Sequence, residues 1–174
     1  MNQSIVLTLI GPDRPGLVEA VSQAIAGHGA NWLDSRMSRL AGKFAGILLI
    51  DVPGDSAEAL VESLRGLEQR GLRVVVERSE VLPPPEGMVA LDLSLVGHDR
   101  PGIVRDISRA LAERGVNVEE LSTGCSSAPM TGDILFHAKA RLLVPGDVST
   151  EELRRALEAL ANDLMVDVNL SEPG

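Results

Sequence analysis

Apolar and polar positions alternate through Ile5, Leu7 and Leu9, and the spacing then switches at Leu17, Val18, Val21 and Ile25 to that of a helix face. This change of period predicts a strand over 5–10 and a helix over 15–26, ended by Gly27-His28-Gly29 with glycine in its usual C-terminal place. A second strand is expected over 31–39. Beyond the Ala41-Gly42-Lys43 turn, the apolar run over 45–52 predicts a third, and Pro53-Gly54-Asp55-Ser56 stops it and opens a helix with Leu60, Val61, Leu64 and Leu67 on one face. Gly71 precedes a last strand over 72–77. The order is β-α-β-β-α-β, the ferredoxin-like arrangement, so the expected class is α+β with an antiparallel sheet.

The same programme then runs again. Gly11-Pro12-Asp13-Arg14-Pro15-Gly16-Leu17-Val18 returns as Gly97-His98-Asp99-Arg100-Pro101-Gly102-Ile103-Val104, an offset of 97 − 11 = 86 that also carries Gly29 onto Gly115 and Asn31 onto Asn117. Two tandem domains are therefore expected, over 1–81 and 88–174, joined by a proline-rich linker over 82–87 in polyproline II geometry. Small domains gain from packing against a neighbour, and the halves are expected to pack together. Pro53-Gly54 maps onto Pro145-Gly146 with an offset of 92, so the second half holds 92 − 86 = 6 extra residues. They fall near Cys125 to Thr131, between the second and third strands, either as a longer hairpin loop or as a segment reaching across a subunit interface.

The repeated stretch joins a strand to a helix. Pro15 suits the first helical position, and it pushes Arg14 into an extended conformation, which makes Arg14 or Asp13 the expected N-cap. The N–H groups of Gly16, Leu17 and Val18 then lack intrahelical partners, and the missing side chain of Gly16 admits another molecule close to the backbone. Such a helix start favours a carboxylate. The alternative is that Asp13 and Asp99 simply cap their own helices, as aspartate commonly does.

Composition narrows the function. Aromatic residues are 2%, with one Trp and no Tyr, so there are no rings on which bases could stack, and a net charge of −9 lacks the basic footprint of a phosphate-backbone binder. Direct contact with nucleic acid is not expected. One cysteine excludes an intramolecular disulfide and a cysteine-rich zinc cluster. No signal-peptide pattern opens the chain and no apolar run reaches the length of a membrane span, so a cytoplasmic protein without membrane contact is expected. The candidates for chemistry are few. His28 sits in a helix-ending turn and reads as solvated, His137 alternates with Lys139 and Arg141, and Cys125 has no nucleophile signature around it. With no Walker loop, H-E-x-x-H or dinucleotide fingerprint, the reading is a non-enzyme with no cofactor or metal. An exposed sheet face or edge on each small domain would be protected by pairing, and a homodimer is expected.

A βαββαβ unit with a Gly-x-Asp-Arg-Pro-Gly-[Ile/Leu]-Val turn and a Gly-x-Asn opening the second strand resembles the ACT domain, a small-molecule regulatory module. Both halves carry the resemblance. A free-standing pair of this length is similar to the glycine cleavage system transcriptional repressor family, which implies a protein that responds to glycine or a similar small amino acid and acts through a partner transcription activator. A regulatory subunit docking on a metabolic enzyme is the alternative. The resemblance places the ligand turn on Pro12, Asp13, Arg14, Gly16 and Leu17, and on His98, Asp99, Arg100, Gly102 and Ile103, with Asn31 and Asn117 as the asparagines opening the second strands. The turn N–H groups would take the amino-acid carboxylate, and an Asn or Asp side chain would accept from its ammonium group. Pro12 replaces His98 and brings no polar side chain, so the two sites need not be equivalent, and the second is expected to be the better polar site.

Overall fold

The computed structural model describes residues 1–83 and 85–174, so the expected linker over 82–87 includes one residue, Pro84, outside the described set. The chain divides into two compact units, 1–83 and 84–174.

In the first unit the order is β1 (Asn2–Pro12), α1 (Leu17–Gly27), β2 (Asn31–Leu40), β3 (Lys43–Pro53), α2 (Ala57–Gly66), a 3₁₀ turn (Leu67–Arg70) and β4 (Arg73–Arg78). The sheet order is β2-β3-β1-β4 with every neighbouring pair antiparallel. The second unit repeats it as β5 (Met88–His98), α3 (Ile103–Ala112), β6 (Asn117–Ser127), β7 (Ile134–Pro145), α4 (Thr150–Leu164) and β8 (Val166–Ser171), in the order β6-β7-β5-β8. The molecule is thus α+β, with two ferredoxin-like units in tandem and antiparallel sheets.

Each unit has its own core, where one face of the sheet meets two helices. Alternation in β1 buries Ile5, Leu7 and Leu9 against Val21 and Ile25 of α1 and Leu60 and Leu64 of α2. In the second unit Leu91, Leu93 and Leu95 meet Ile107, Leu111, Leu153 and Leu157 in the same way. The copies differ in the side chain set on the edge strand beside the first helix. Trp32 packs there in the first unit, whereas its counterpart Val118 borders a cavity of about 40 Å³ beneath α3, together with Leu121, Phe136 and Ala140.

Two details depart from the sequence reading. Of the six extra residues of the second unit, four lengthen the turn, a loop over 128–133 where the first unit turns on Ala41 and Gly42 alone, and two extend the hairpin by the pair Ser127–Ile134; Cys125 stays on the β6 ladder opposite Phe136. His28 is not freely solvated: it is half-buried, and its Nδ1 lies 2.7 Å from the Ala24 carbonyl, closing the end of α1. A ring nitrogen carrying its hydrogen satisfies one of the carbonyls that a helix end leaves over.

Candidate functional site

The two turns begin where β1 and β5 end. Neither helix is capped by aspartate and neither starts at the proline, which corrects the expected cap. Gly16 is the N-cap of α1 at φ 89°, ψ 0°, and Gly102 is the N-cap of α3 at φ 96°, ψ −4°, neither with a side-chain capping bond. A proline followed by glycine in this left-handed conformation is the signature of a type II turn, which glycine enters without the steric cost a Cβ imposes. The first intrahelical bonds run from Ala20 N–H to Gly16 O at 3.0 Å and from Asp106 N–H to Gly102 O at 2.9 Å. The N–H groups left free by helix geometry are therefore those of Leu17, Val18 and Glu19, and of Ile103, Val104 and Arg105, one residue later than the sequence suggested.

The aspartates are used elsewhere. The Asp13 N–H donates to Gly42 O at 2.9 Å, and its Oδ2 pairs with Arg39 Nε of β2 at 2.7 Å. Asp99 N–H donates to Ile134 O at 3.0 Å, but the residue matching Arg39 is Cys125, and the Asp99 carboxylate has no partner among the described residues.

At the first turn the structure forms a cleft of about 450 Å³. Arg14, Pro15, Gly16, Leu17 and Ala20 line one side, and Leu67, Gln69, Arg70 and Leu72 line the other. Sequence reasoning missed this second wall. It exists because α2 ends at Gly66 and tightens into the 3₁₀ turn, after which Gly71 takes φ 86° and brings the chain back into β4. A Cβ on Gly71 would make only ordinary contacts, 3.5 Å from Arg14 Nη2 and 3.6 Å from Pro12, so what calls for glycine there is its left-handed φ, and the same distances place Arg14 and Pro12 beside the wall. The two glycines, Gly66 and Gly71, were the available signal. Neither Arg14 nor Arg70 has an ion-pair partner among the described residues, which leaves two guanidinium groups beside free helix N–H donors in a protein of net charge −9. Guanidinium and N–H donors suit a carboxylate.

The second turn is arranged differently. Arg105 folds back so that its Nη2 lies 3.0 Å from where a Cβ on Gly102 would stand, and its Nε donates to Asp106 Oδ1 at 2.8 Å. That hydrogen bond holds the Asp106 carboxyl below the ordinary carboxylate range; desolvation opposes it, and the charges of Arg105, Arg109 and Arg100 add smaller contributions in the same direction as the bond. The left-handed position of Gly71 is taken here by Met165 at φ 55°.

Asn31 and Asn117 are not brought to the turns. Asn31 pairs with Asp51, which pairs with Ser4, eight residues before Pro12, and Asn117 pairs through Leu143 with Ala90, eight residues before His98. Eight strand residues at roughly 3.3 Å each put about 26 Å between asparagine and turn within one unit. Among the described residues no group of three His, Cys, Asp or Glu is placed to hold a metal, and no helix is long and apolar enough to cross a membrane.

The fold and the turn define an ACT domain, twice over: the ACT-domain family pattern matches residues 3–77 and again 92–162. The chain belongs to the ACT-domain family, as a tandem pair. Over most of its length it is similar to the glycine cleavage system transcriptional repressor of Escherichia coli, 25% identical over 163 residues that span 92% of this chain and 85% of that protein. It is also similar to phosphoserine phosphatase SerB2 of Mycobacterium tuberculosis, 29% identical over 178 residues, 98% of this chain but 41% of that protein. Among solved structures, an unknown protein from Galdieria sulphuraria superimposes with a TM-score of 0.88 at 30% identity, each chain covered in full.

Proposed function

We propose that the protein is an amino-acid-sensing regulator that controls transcription through a partner transcription factor, as a homodimer and without chemistry of its own. The observation that carries the ligand half is the cleft at the first turn, where Arg14, Arg70 and the free N–H groups opening α1 offer a ready seat for an α-carboxylate. Glycine or another small amino acid is the ligand class. Gln69, with an amide oxygen able to accept, stands on the opposite wall and is a candidate for the ammonium end. Likeness to the repressor across 92% of the chain favours the transcriptional output. The acidic composition fits action through a protein rather than on DNA.

The asparagines enter this reading only from outside the unit. Asn31 or Asn117 can meet a ligand at a turn only when supplied by another copy of the chain, since within one unit they stand at the far end of the sheet.

A specific observation favours a second reading, a regulatory module that docks on a metabolic enzyme: nearly the whole chain matches a stretch of a phosphatase more than twice its length. Affinity capture from the source cells, with and without glycine and serine, separates the two. Amino-acid-dependent recovery of a transcription activator is expected; recovery of a biosynthetic enzyme instead would replace the first reading by the second.

A further inference from the structure

The offset of 86 that carries Gly16 onto Gly102 also carries Glu19 onto Arg105 and Ala20 onto Asp106. These two exchanges decide how open each turn is. A Cβ on Gly16 would meet nothing within 4 Å, and Glu19 is turned along its own helix, where its Oε1 accepts from Gln23 Nε2 at 3.1 Å. The backbone of the first turn is open to a guest. At Gly102 a Cβ would stand 3.0 Å from Arg105 Nη2 and 3.8 Å from Asp106 Oδ2. The Arg105 guanidinium thus covers the glycine. Asp106, 24% exposed and bonded to Arg105 Nε at 2.8 Å, sets a carboxylate at the helix position from which Ala20 lines the first cleft. The far wall changes in the same sense. Counting back from the shared left-handed position, Gly71 in one unit and Met165 in the other, Arg70 is matched by Leu164, which is buried, and Gln69 by Asp163. The residues lining the first cleft include two arginines and no acid, whereas the matching positions of the second unit lose one arginine and gain two aspartates.

We infer that the second turn is closed by a carboxylate of its own: Asp106, held by Arg105, takes the place that the ligand's carboxylate takes at the first turn, so each chain seats one amino acid rather than two. A carboxylate seeks a guanidinium group, and one tethered four residues from Gly102 meets it as an intramolecular partner, ahead of any free molecule. Arg100, which matches Arg14, adds its charge to those of Arg105 and Arg109 in keeping Asp106 ionised. A free amino acid would have to displace Arg105 from Gly102 and bring its own carboxylate up to those of Asp106 and Asp163, and like charges oppose that approach. The first turn, with Arg14 and Arg70 both unpaired, has no such occupant. The inference rests on the sensing reading above and adds to it the number of seats and the residue that closes the second.

The test counts molecules bound per full chain by calorimetric titration with glycine, serine and a panel of other amino acids, for the wild type, Asp106→Ala/Asp163→Gln and Glu19→Arg/Ala20→Asp. The first variant gives the second turn the residues that the first unit carries at both places, and the other does the reverse. The wild type is expected to bind one amino acid per chain. Asp106→Ala/Asp163→Gln should bind a second molecule of it, roughly tenfold or more weakly because Arg70 has no counterpart there. Glu19→Arg/Ala20→Asp should lose affinity about tenfold or more, with unchanged far-UV circular dichroism. Two molecules per wild-type chain, or a folded Asp106→Ala/Asp163→Gln that still binds one, overturns the inference and leaves the sensing reading intact. A wild type that binds none of the amino acids overturns the sensing reading instead, and the inference then stands if Asp106→Ala/Asp163→Gln gains a binding event and falls if it gains none. Should that variant fail to fold, undiminished binding by Glu19→Arg/Ala20→Asp overturns the inference.

Discussion

Gly16 and Gly102 set the direction of the free N–H groups because each occupies a backbone conformation that costs an L-residue about 1–2 kcal/mol. A Cβ on Gly16 would meet nothing within 4 Å, so the penalty there is conformational alone. Gly16→Ala is therefore expected to lower unfolding free energy by about 1–2 kcal/mol in urea titration, with no change in the cooperativity of the transition. A loss above that range would point to a steric role. At the second turn Asp106 provides a pH signature. Its folded pKa lies below the unfolded value, chiefly through the Arg105 hydrogen bond, so its contribution is complete above the unfolded pKa and is lost as pH falls through the folded one. The stability gap between wild type and Asp106→Asn, measured by urea midpoint, should shrink as pH is taken down past about 4. A gap that widens there would contradict the assignment. At this scale the turn residues themselves were legible from the repeat, but their division of labour was not: Pro15-Gly16 reads equally as a helix start or as a type II turn, and only the φ of Gly16 decides.

The elements were read well from periodicity, because the switch from a period of two to one near three and a half is unambiguous at Leu9 and Leu17 and recurs at Leu95 and Ile103. Their ends were less legible. Gly66 closes α2 and leaves a 3₁₀ turn that builds the cleft, whereas α4, without an internal glycine, runs unbroken for 15 residues. Capping also differs: Ser149 accepts from Glu152 N–H at 3.3 Å, while Ser56 makes no side-chain cap bond. Ser149→Ala is thus expected to cost about 1 kcal/mol by chemical denaturation, and Ser56→Ala clearly less. Equal losses would mean that the two caps work alike in solution. The asparagines show a further limit of reading in one dimension. Asn31 follows the turn by only fifteen residues, yet α1 carries the chain back along the sheet, so closeness in sequence becomes separation in space.

At the scale of the whole molecule the duplication explains the fold, and the departures from it suggest the function. Both units keep the same strand order, the same edge-strand irregularity near Trp32 and Val118, and the same left-handed glycine before the first helix. They diverge at the turn cleft, at the edge-strand side chain beside the first helix and on the outer sheet face. The substitutions behind that divergence, such as Val6 against Asp92, lie openly in the sequence, but they form a surface only once the register places Val6 beside Leu49 and Glu77. The proposed ligand seat, two arginines beside a helix start, was half visible: Arg14 belongs to the repeated turn, while Arg70 arrives from an element more than fifty residues away.

The most direct measurement is calorimetric titration of the full chain with glycine, serine and a panel of other amino acids, repeated on Arg14→Ala and Arg70→Ala. A charged hydrogen bond contributes about 1.5–3 kcal/mol, so saturable binding of one amino acid should weaken roughly ten- to a hundredfold in either variant. Binding that neither substitution affects would place the ligand away from the first turn, and no binding of any amino acid would contradict the sensing role itself.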